Sequence, residues 1–308
     1  MNRKTLRIGT RGSLLALRQS QWVRDTLMNY WPGLVVELQV IKTTGDKIQD
    51  VPLAKVGGKG LFVKEIEDAL LAREVDLAVH SMKDVPAILP DGLIIAAIPR
   101  REDPRDVLVM RGVSSLKELP REAKVGTSSL RRAAQVKALR PDLRVENLRG
   151  NLDTRLRKVE EGHYDAIILA AAGLHRMGWQ ARISHYLEPE QFLPAVGQGA
   201  LGIEARADDA EVLAHLTPLH HLDSEVAVAA ERSFLKELEG GCQVPIGGYA
   251  RVVGDMVEFT GLVASVDGSV LLRRAGKAPV AEAAELGLRV AQELLAAGGK
   301  AILAEFYC

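Results

Sequence analysis

Cysteine is nearly absent from this chain: its 308 residues hold two, Cys242 and Cys308. Two thiols are too few for a disulfide framework or a self-sufficient zinc site, so no structural metal is expected. A net charge of one sign is missing as well. Lys plus Arg and Asp plus Glu both total 40, so no global field draws the protein to nucleic acid or a membrane surface, and any anion site has to be local. No window approaches the roughly 20 apolar residues of a membrane span, and the opening run M-N-R-K-T-L-R-I-G-T enters a strand pattern without an apolar stretch of signal-peptide length. A cytoplasmic protein with no membrane or nucleic-acid partner is expected. A Walker loop, an H-E-x-x-H pair and a Ser/His/Asp arrangement are also missing, which leaves nucleotide and hydrolase readings without support.

At 308 residues the chain is too long for one ordinary core and reads as two or three domains. Its first two thirds alternate strand-length apolar runs, at 34–41, 77–79, 93–98, 107–110 and 166–169, with helical periods such as 61–73 and 130–139. This is an α/β pattern, with sheets covered by helices on both sides. The last third differs. A helix over about 224–238, strand-like runs at 249–253, 257–266 and 270–275, and an amphipathic helix over about 280–297 predict a small α+β domain with a three-stranded sheet.

An internal echo organises the first part. Residues 8–13, I-G-T-R-G-S, and 125–129, V-G-T-S-S, each read as a strand end, a glycine turn and a Ser-capped helix start. The string 73–82, R-E-V-D-L-A-V-H-S-M, resembles 162–171, G-H-Y-D-A-I-I-L-A-A, in the same relative order. Strings this short also match by chance, and sheet order has to decide between chance and repetition. Repetition implies two similar hinged α/β lobes, joined near 99–105 and 193–199, where Pro or Gly suits a bend, with 200–206 returning as a strand to the first lobe. The expected domains are therefore 1–99 with 200–217, 105–193 and 222–308. Ligands of such proteins collect at the carboxyl ends of strands, where helix N-termini present unpaired N–H groups.

Arg11, Lys83, Arg131, Arg132, Arg149, Arg155 and Arg176 all fall at or just past predicted strand ends. A guanidinium holds a carboxylate through two parallel hydrogen bonds, so this many of them facing one cleft would suit a ligand with several negative charges. Taken singly, each is as well read as a solvated helix arginine paired to a surface acid. In H-S-M-K-D-V-P at 80–86 an apolar strand ends beside Asp84, which reads either as a turn residue paired to Lys83 or as an acid able to stabilise a developing cation and pass a proton to a leaving amine. His80 reads as a packed strand-end residue. Gly57, Gly58 and Gly60 around Lys59 suggest that 43–60 is an irregular flap over the cleft or a plain surface loop. Cys242 lies in E-L-E-G-G-C-Q-V-P-I-G-G-Y-A at 237–250, where Gly240 and Gly241 end a helix and Pro245, Gly247 and Gly248 keep the next stretch irregular. Its thiol is open to approach, which fits either an inert loop cysteine or a covalent attachment point.

Together these strings resemble the porphobilinogen deaminase family, also called hydroxymethylbilane synthase. The matching segments are R-I-G-T-R-G-S-L-L-A-L-R-Q, G-G-K-G-L-F-V-K-E, H-S-M-K-D-V-P, G-T-S-S-L-R-R-A-A-Q, N-L-R-G-N-L-D-T-R, P-A-V-G-Q-G-A-L and G-G-C-Q-V-P-I-G-G-Y-A, in family order from end to end. The resemblance implies a transferase of porphyrin and heme biosynthesis that condenses four porphobilinogen molecules into the linear tetrapyrrole hydroxymethylbilane, releasing ammonia from each. It implies a monomeric protein with two hinged lobes of the type II periplasmic-binding-protein kind and a C-terminal domain carrying a covalent dipyrromethane cofactor on Cys242. By the same resemblance Asp84 is catalytic and Lys59 closes from the flap. Ser81, Lys83, Asp84, Thr127, Ser129, Arg131, Arg132 and Gly150 would hold the cofactor, and Arg11, Ser13, Arg149, Arg155, Arg176 and Gln198 the substrate and growing oligopyrrole. Cys308 matches no role in the pattern.

Two other classes share the lobes. A two-lobed anion- or solute-binding protein without catalysis would need an export signal and has no use for Cys242. A transcriptional effector-binding module would carry a helix-turn-helix or a basic face, and neither is seen.

Overall fold

The computed structural model describes residues 3–47, 63–239 and 244–306. The first lobe contains β1 (Thr5–Thr10), α1 (Leu14–Tyr30), β2 (Val35–Val40), α2 (Lys64–Leu71), β3 (Leu77–Ser81) and β4 (Leu93–Ala97), and is completed by β10 (Leu201–Arg206). Its sheet runs β2-β1-β3-β10-β4. β1 pairs parallel to β2 and β3, whereas β10 runs antiparallel to β3 and β4, with Ile203 opposite Val79 and Ala97. Every residue of β10 is buried, including Glu204 and Arg206, although in sequence Leu201, Ile203 and Ala205 alternate with Gly202 and these two charged residues.

The second lobe repeats this plan. β5 (Asp106–Met110), β6 (Lys124–Gly126), α3 (Leu130–Leu139), β7 (Arg144–Glu146), α4 (Leu152–Glu160), β8 (Ala166–Ala170), α5 (Ala171–Arg176) and β9 (His185–Leu187) give the order β7-β6-β8-β5-β9. β6 is parallel to β7 and β8, and β5 is antiparallel to β8 and β9. Strand for strand, β6 stands where β1 does, β8 where β3 does and β5 where β10 does, so the echo between 8–13 and 125–129 is a repeat of structure. In each sheet the antiparallel strand is the one delivered by a crossover from the other lobe. The two crossovers touch, Glu102 N–H donating to Gly199 O at 3.2 Å.

α6 (Ala210–Leu216) leads to the third unit: α7 (Leu222–Glu237), β11 (Ile246–Val253), β12 (Met256–Ala264), β13 (Leu271–Pro279) and α8 (Ala283–Leu294). The strands form an antiparallel sheet in the order β11-β12-β13, and both helices pack on it through Phe234, Phe259, Leu286 and Val290. A Cβ on Gly287 would lie 2.0 Å from Ala230 O, so the close approach of α8 to α7 requires glycine there.

Two expectations change. β11 starts at Ile246 and takes in Gly247 and Gly248, which read from sequence as irregular. These glycines leave room for the second crossover: added Cβ atoms would meet Leu193 and Pro194 at 3.2 Å and Val196 at 3.0 Å, and Gly248 N–H donates to Pro194 O. The stretch expected as an irregular flap begins with a short helix, Thr44–Lys47, where Thr44 N–H donates to Glu65 Oε1 at 2.8 Å. Among the described residues no helix is long and apolar enough to cross a membrane.

Candidate active site

The carboxyl ends of β1, β3 and β8, the β7–α4 connection and the first turns of the helices around them surround a cavity of about 580 Å³, within the range of small-molecule sites. Sequence dictates the entry to each helix. Ser13 caps α1 by accepting from Ala16 N–H at 3.3 Å, and Ser129 caps α3 by accepting from Arg132 N–H at 3.4 Å. Arg11 and Ser13 reach the cavity from the β1–α1 turn, and Ser81, Lys83 and Asp84 from the end of β3. Arg132 comes from α3, Arg149 and Gly150 from the β7–α4 connection, Arg155 from α4, and Arg176 from α5. Gly150 has φ +115°, and its carbonyl accepts from Arg155 Nε at 2.8 Å.

Among the described residues, seven cationic side chains line this space, Arg11, Lys42, Lys83, Arg132, Arg149, Arg155 and Arg176, against the carboxylates of Asp84 and Asp153. Burial first perturbs the titration of three of them, and neighbouring cations add to it in two. Burial, with Arg132 and Arg149 beside it, lowers Arg155 to about 10 despite the opposing pull of Asp84. Burial lowers Arg176 to about 10. Lys83 falls to about 8, chiefly through burial, with Arg131 and Arg132 adding to the shift and Asp84 and Asp106 opposing it. Crowded, partly desolvated cations that outnumber the acids create a strongly positive potential that favours a ligand bearing several carboxylates.

Four expected site residues lie behind the cavity wall. Arg131 donates to Asp106 Oδ2 at 2.6 Å and to Leu193 O. Gln198 Nε2 donates to Asp106 Oδ1 at 2.9 Å and to Pro104 O at 2.7 Å. Thr127 Oγ1 accepts from Ser129 N–H at 3.2 Å, and Ser129 is occupied as the α3 cap. Arg132 belongs to both layers: it lines the cavity while its Nη2 donates to Asp106 Oδ1 at 2.7 Å and its Nη1 to Ile168 O at 2.9 Å. Lys59, Cys242, Cys308 and most of the expected flap lie outside the described residues.

Asp106 is the residue that sequence reasoning missed. It is fully buried, and although burial alone would raise its pKa, Arg131 and Arg132 hold it well below the usual carboxylate range. In the string E-D-P-R-D-V-L-V-M it reads as the tail of a charged linker. The available signal was an acid at the first position of a wholly apolar strand. Lys42 and Asp153 were missed as well. Among the described residues there is no cluster of three or more His, Cys, Asp or Glu that could hold a metal.

Fold and site together define a two-lobed α/β protein whose interlobe cleft is cationic, with the carboxylates of Asp84 and Asp153 set among the cations. Residues 6–214 match the family model described as porphobilinogen deaminase, dipyromethane cofactor binding domain, and residues 226–296 match the model of the porphobilinogen deaminase C-terminal domain. A porphobilinogen deaminase from Syntrophobacter fumaroxidans is 63% identical over 307 residues, covering 100% of this chain and 99% of that one. Another from Syntrophotalea carbinolica is 55% identical over 304 residues, covering 99% and 96%. A periplasmic substrate-binding protein from Coxiella burnetii, 13% identical, aligns with 74% of this chain and 96% of its own at a TM-score of 0.45. The chain belongs to the porphobilinogen deaminase family, transferases of tetrapyrrole synthesis.

Proposed function

We propose that this enzyme, a cytoplasmic monomer, condenses four porphobilinogen molecules into hydroxymethylbilane, with a dipyrromethane joined to Cys242 as primer. The donor set fits that group: each of its rings bears an acetate and a propionate, and the cavity offers Arg11, Lys83, Arg132, Arg149, Arg155 and Arg176. Ser81, Lys83, Arg132 and Gly150 would hold it at the cavity wall, with Thr127, Ser129 and Arg131 supporting from behind. Arg11, Ser13, Arg149, Arg155 and Arg176 would take the carboxylates of incoming substrate, Gln198 would fix the crossover beneath them, and Lys59 would close over them. When bound, the primer supplies the terminal pyrrole carbon to which the first substrate ring is joined. The expected division into 1–99 with 200–217, 105–193 and 222–308 assigns the cationic cleft to the two lobes and the attachment cysteine to the third unit.

The observation that carries this reading is the placement of Asp84 in the cavity among Lys83, Arg132 and Arg155. Loss of ammonia breaks the aminomethyl C–N bond of the substrate with its electron pair leaving on nitrogen, and the pyrrole nitrogen feeds density into the remaining fragment to give an azafulvenium cation. In a cleft this positive, such a cation needs a carboxylate close by. Asp84 supplies it and handles the proton of the departing amine. The surrounding guanidiniums orient the ring through its acidic side chains, which makes the encounter effectively unimolecular.

Intact-mass measurement with kinetics tests the proposal. The denatured wild-type chain is expected to exceed its sequence mass by two pyrrole units, and Cys242→Ser to return the bare mass and lose activity. Asp84→Asn is expected to keep the added mass while turnover falls by at least about 100-fold, the scale of lost electrostatic catalysis. An active protein of bare sequence mass removes the primer, and near-normal turnover of Asp84→Asn removes the acid.

A further inference from the structure

We infer that Arg232, on α7 of the third unit, is a positioning residue that holds the turn bearing Lys83 and Asp84. This rests on the reading of Asp84 as the acid. The turn is weakly secured by its own backbone. β3 ends at Ser81, Met82 N–H donates to Ala200 O at 3.0 Å, residues Met82–Asp84 make one 3₁₀ turn closed by Val85 N–H to Met82 O at 3.1 Å, and the next strand begins only at Leu93. Pro86 has no N–H with which to tie the segment down.

Beyond Met82, the anchorage of the segment comes from α7. Arg232 Nη2 donates to Pro86 O at 2.7 Å and Ala87 O at 3.2 Å, and Nη1 to Val85 O at 3.4 Å, with Met82 Sδ at 3.7 Å. One planar fork therefore spans three successive carbonyls directly after Asp84, a geometry that a lysine ammonium cannot reproduce. Val228, one helical turn earlier, is buried against Met82 and Val85. Glu231, the preceding residue, accepts from Gly197 N–H at 2.6 Å, and Gly197 lies so close to the turn that a Cβ on it would come within 2.8 Å of Met82 Cγ and 3.1 Å of Lys83 N. Residues 228, 231 and 232 thus share one stripe of the helix, and that stripe supports the acid-bearing turn from below. Further along the chain, the same helix leads to Cys242. The third unit consequently sets the position of the acid as well as carrying the proposed attachment point.

The test uses full-length enzyme with its native complement. Arg232→Met, which keeps most of the side-chain volume, is expected to retain the wild-type added mass and to lose about 10- to 100-fold in kcat, the cost of displacing a catalytic group by an ångström or so. KM should stay within about threefold, because the carboxylate-binding guanidiniums are untouched. Hydrogen exchange should quicken at the Val85 amide and across 82–89 while the rest of the first lobe keeps its protection. Arg232→Lys should fall between wild type and Arg232→Met in both kcat and exchange. Wild-type kcat with unchanged exchange over 82–89 in Arg232→Met overturns the inference, as does a loss of kcat that only tracks the fraction unfolded. Should Arg232→Met fail to fold, Arg232→Lys decides on the same two readouts. Asp84→Asn run in parallel separates the two ideas: if that variant turns over normally the acid assignment fails, whereas exchange over 82–89 still decides whether Arg232 anchors the turn.

Discussion

Glu231 receives both terminal nitrogens of Arg101, at 2.6 and 3.2 Å, with its side chain wholly removed from solvent. The same carboxylate accepts from Gly197 N–H at 2.6 Å and Ala250 N–H at 2.8 Å. Arg101 belongs to one crossover and Gly197 to the other, while Ala250 lies in β11. One acid on α7 therefore binds both interlobe connections and the third sheet. Removing one partner of a buried pair leaves an uncompensated charge and costs about 3–5 kcal/mol. Glu231→Gln should lower the melting temperature by roughly 10 °C, read by calorimetry; a change within a degree would mean the junction does not depend on the pair.

Lys83 gives the cleft a pH limit. Its folded pKa of about 8 lies below the ordinary 10.5, so between these values the unfolded chain binds the proton that the folded chain has lost. The burial penalty on the ammonium acts in full below pH 8 and is relieved as pH rises from 8 to 10.5, so this group adds stability with rising pH. The proposed hold on the primer changes the opposite way, because the cation offered to its carboxylates disappears through pH 8. Turnover of porphobilinogen should fall above pH 8 in wild type and stay flatter in Lys83→Arg, whose guanidinium remains charged. Parallel kcat profiles would show that Lys83 contributes no charge to holding the primer.

Glu67 has the reverse sign. Buried on α2, it is raised to about 7 by desolvation first and by Glu204 second, against a weaker opposing effect of His80, which itself lies 2.9 Å from Glu204 Oε2. A carboxyl with a raised folded pKa favours the folded state at low pH and loses that contribution as pH rises from 4.5 to 7. Glu67→Gln removes the ionisation, so it should raise the melting temperature by a few °C at pH 8, with the gain shrinking toward zero as pH falls to 4.5. A pH-independent difference would place the effect in packing rather than charge.

Much of the site could be read before any coordinates. Ser13 and Ser129 announce helix starts through a local hydrogen bond that any chain with that spacing makes, and Asp84, Lys83 and Ser81 follow an apolar strand directly. What escaped sequence reasoning was pairing across long separations. Nothing in the string D-V-L-V-M indicates that Asp106 will hold Arg131, Arg132 and Gln198, since these partners come from α3 and the second crossover. Gly247 and Gly248 were misread for the same reason. Their local signal is irregularity, yet the approach of residues 193–196 makes them strand residues.

The α/β class, the repeated strand–turn–helix units, the family and the set of charged groups are legible in the residues alone, because propensity, capping and periodicity act within a few residues of the chain. Which arginines face the cavity and which are tied to a buried acid behind it follows from the packed fold. That packing also decided that Arg232 and Glu231, unremarkable on a helix, support the turn and the crossovers. Those outcomes depend on ion pairs and backbone contacts closed between distant segments, and such contacts exist only once the lobes and the third unit have packed against one another.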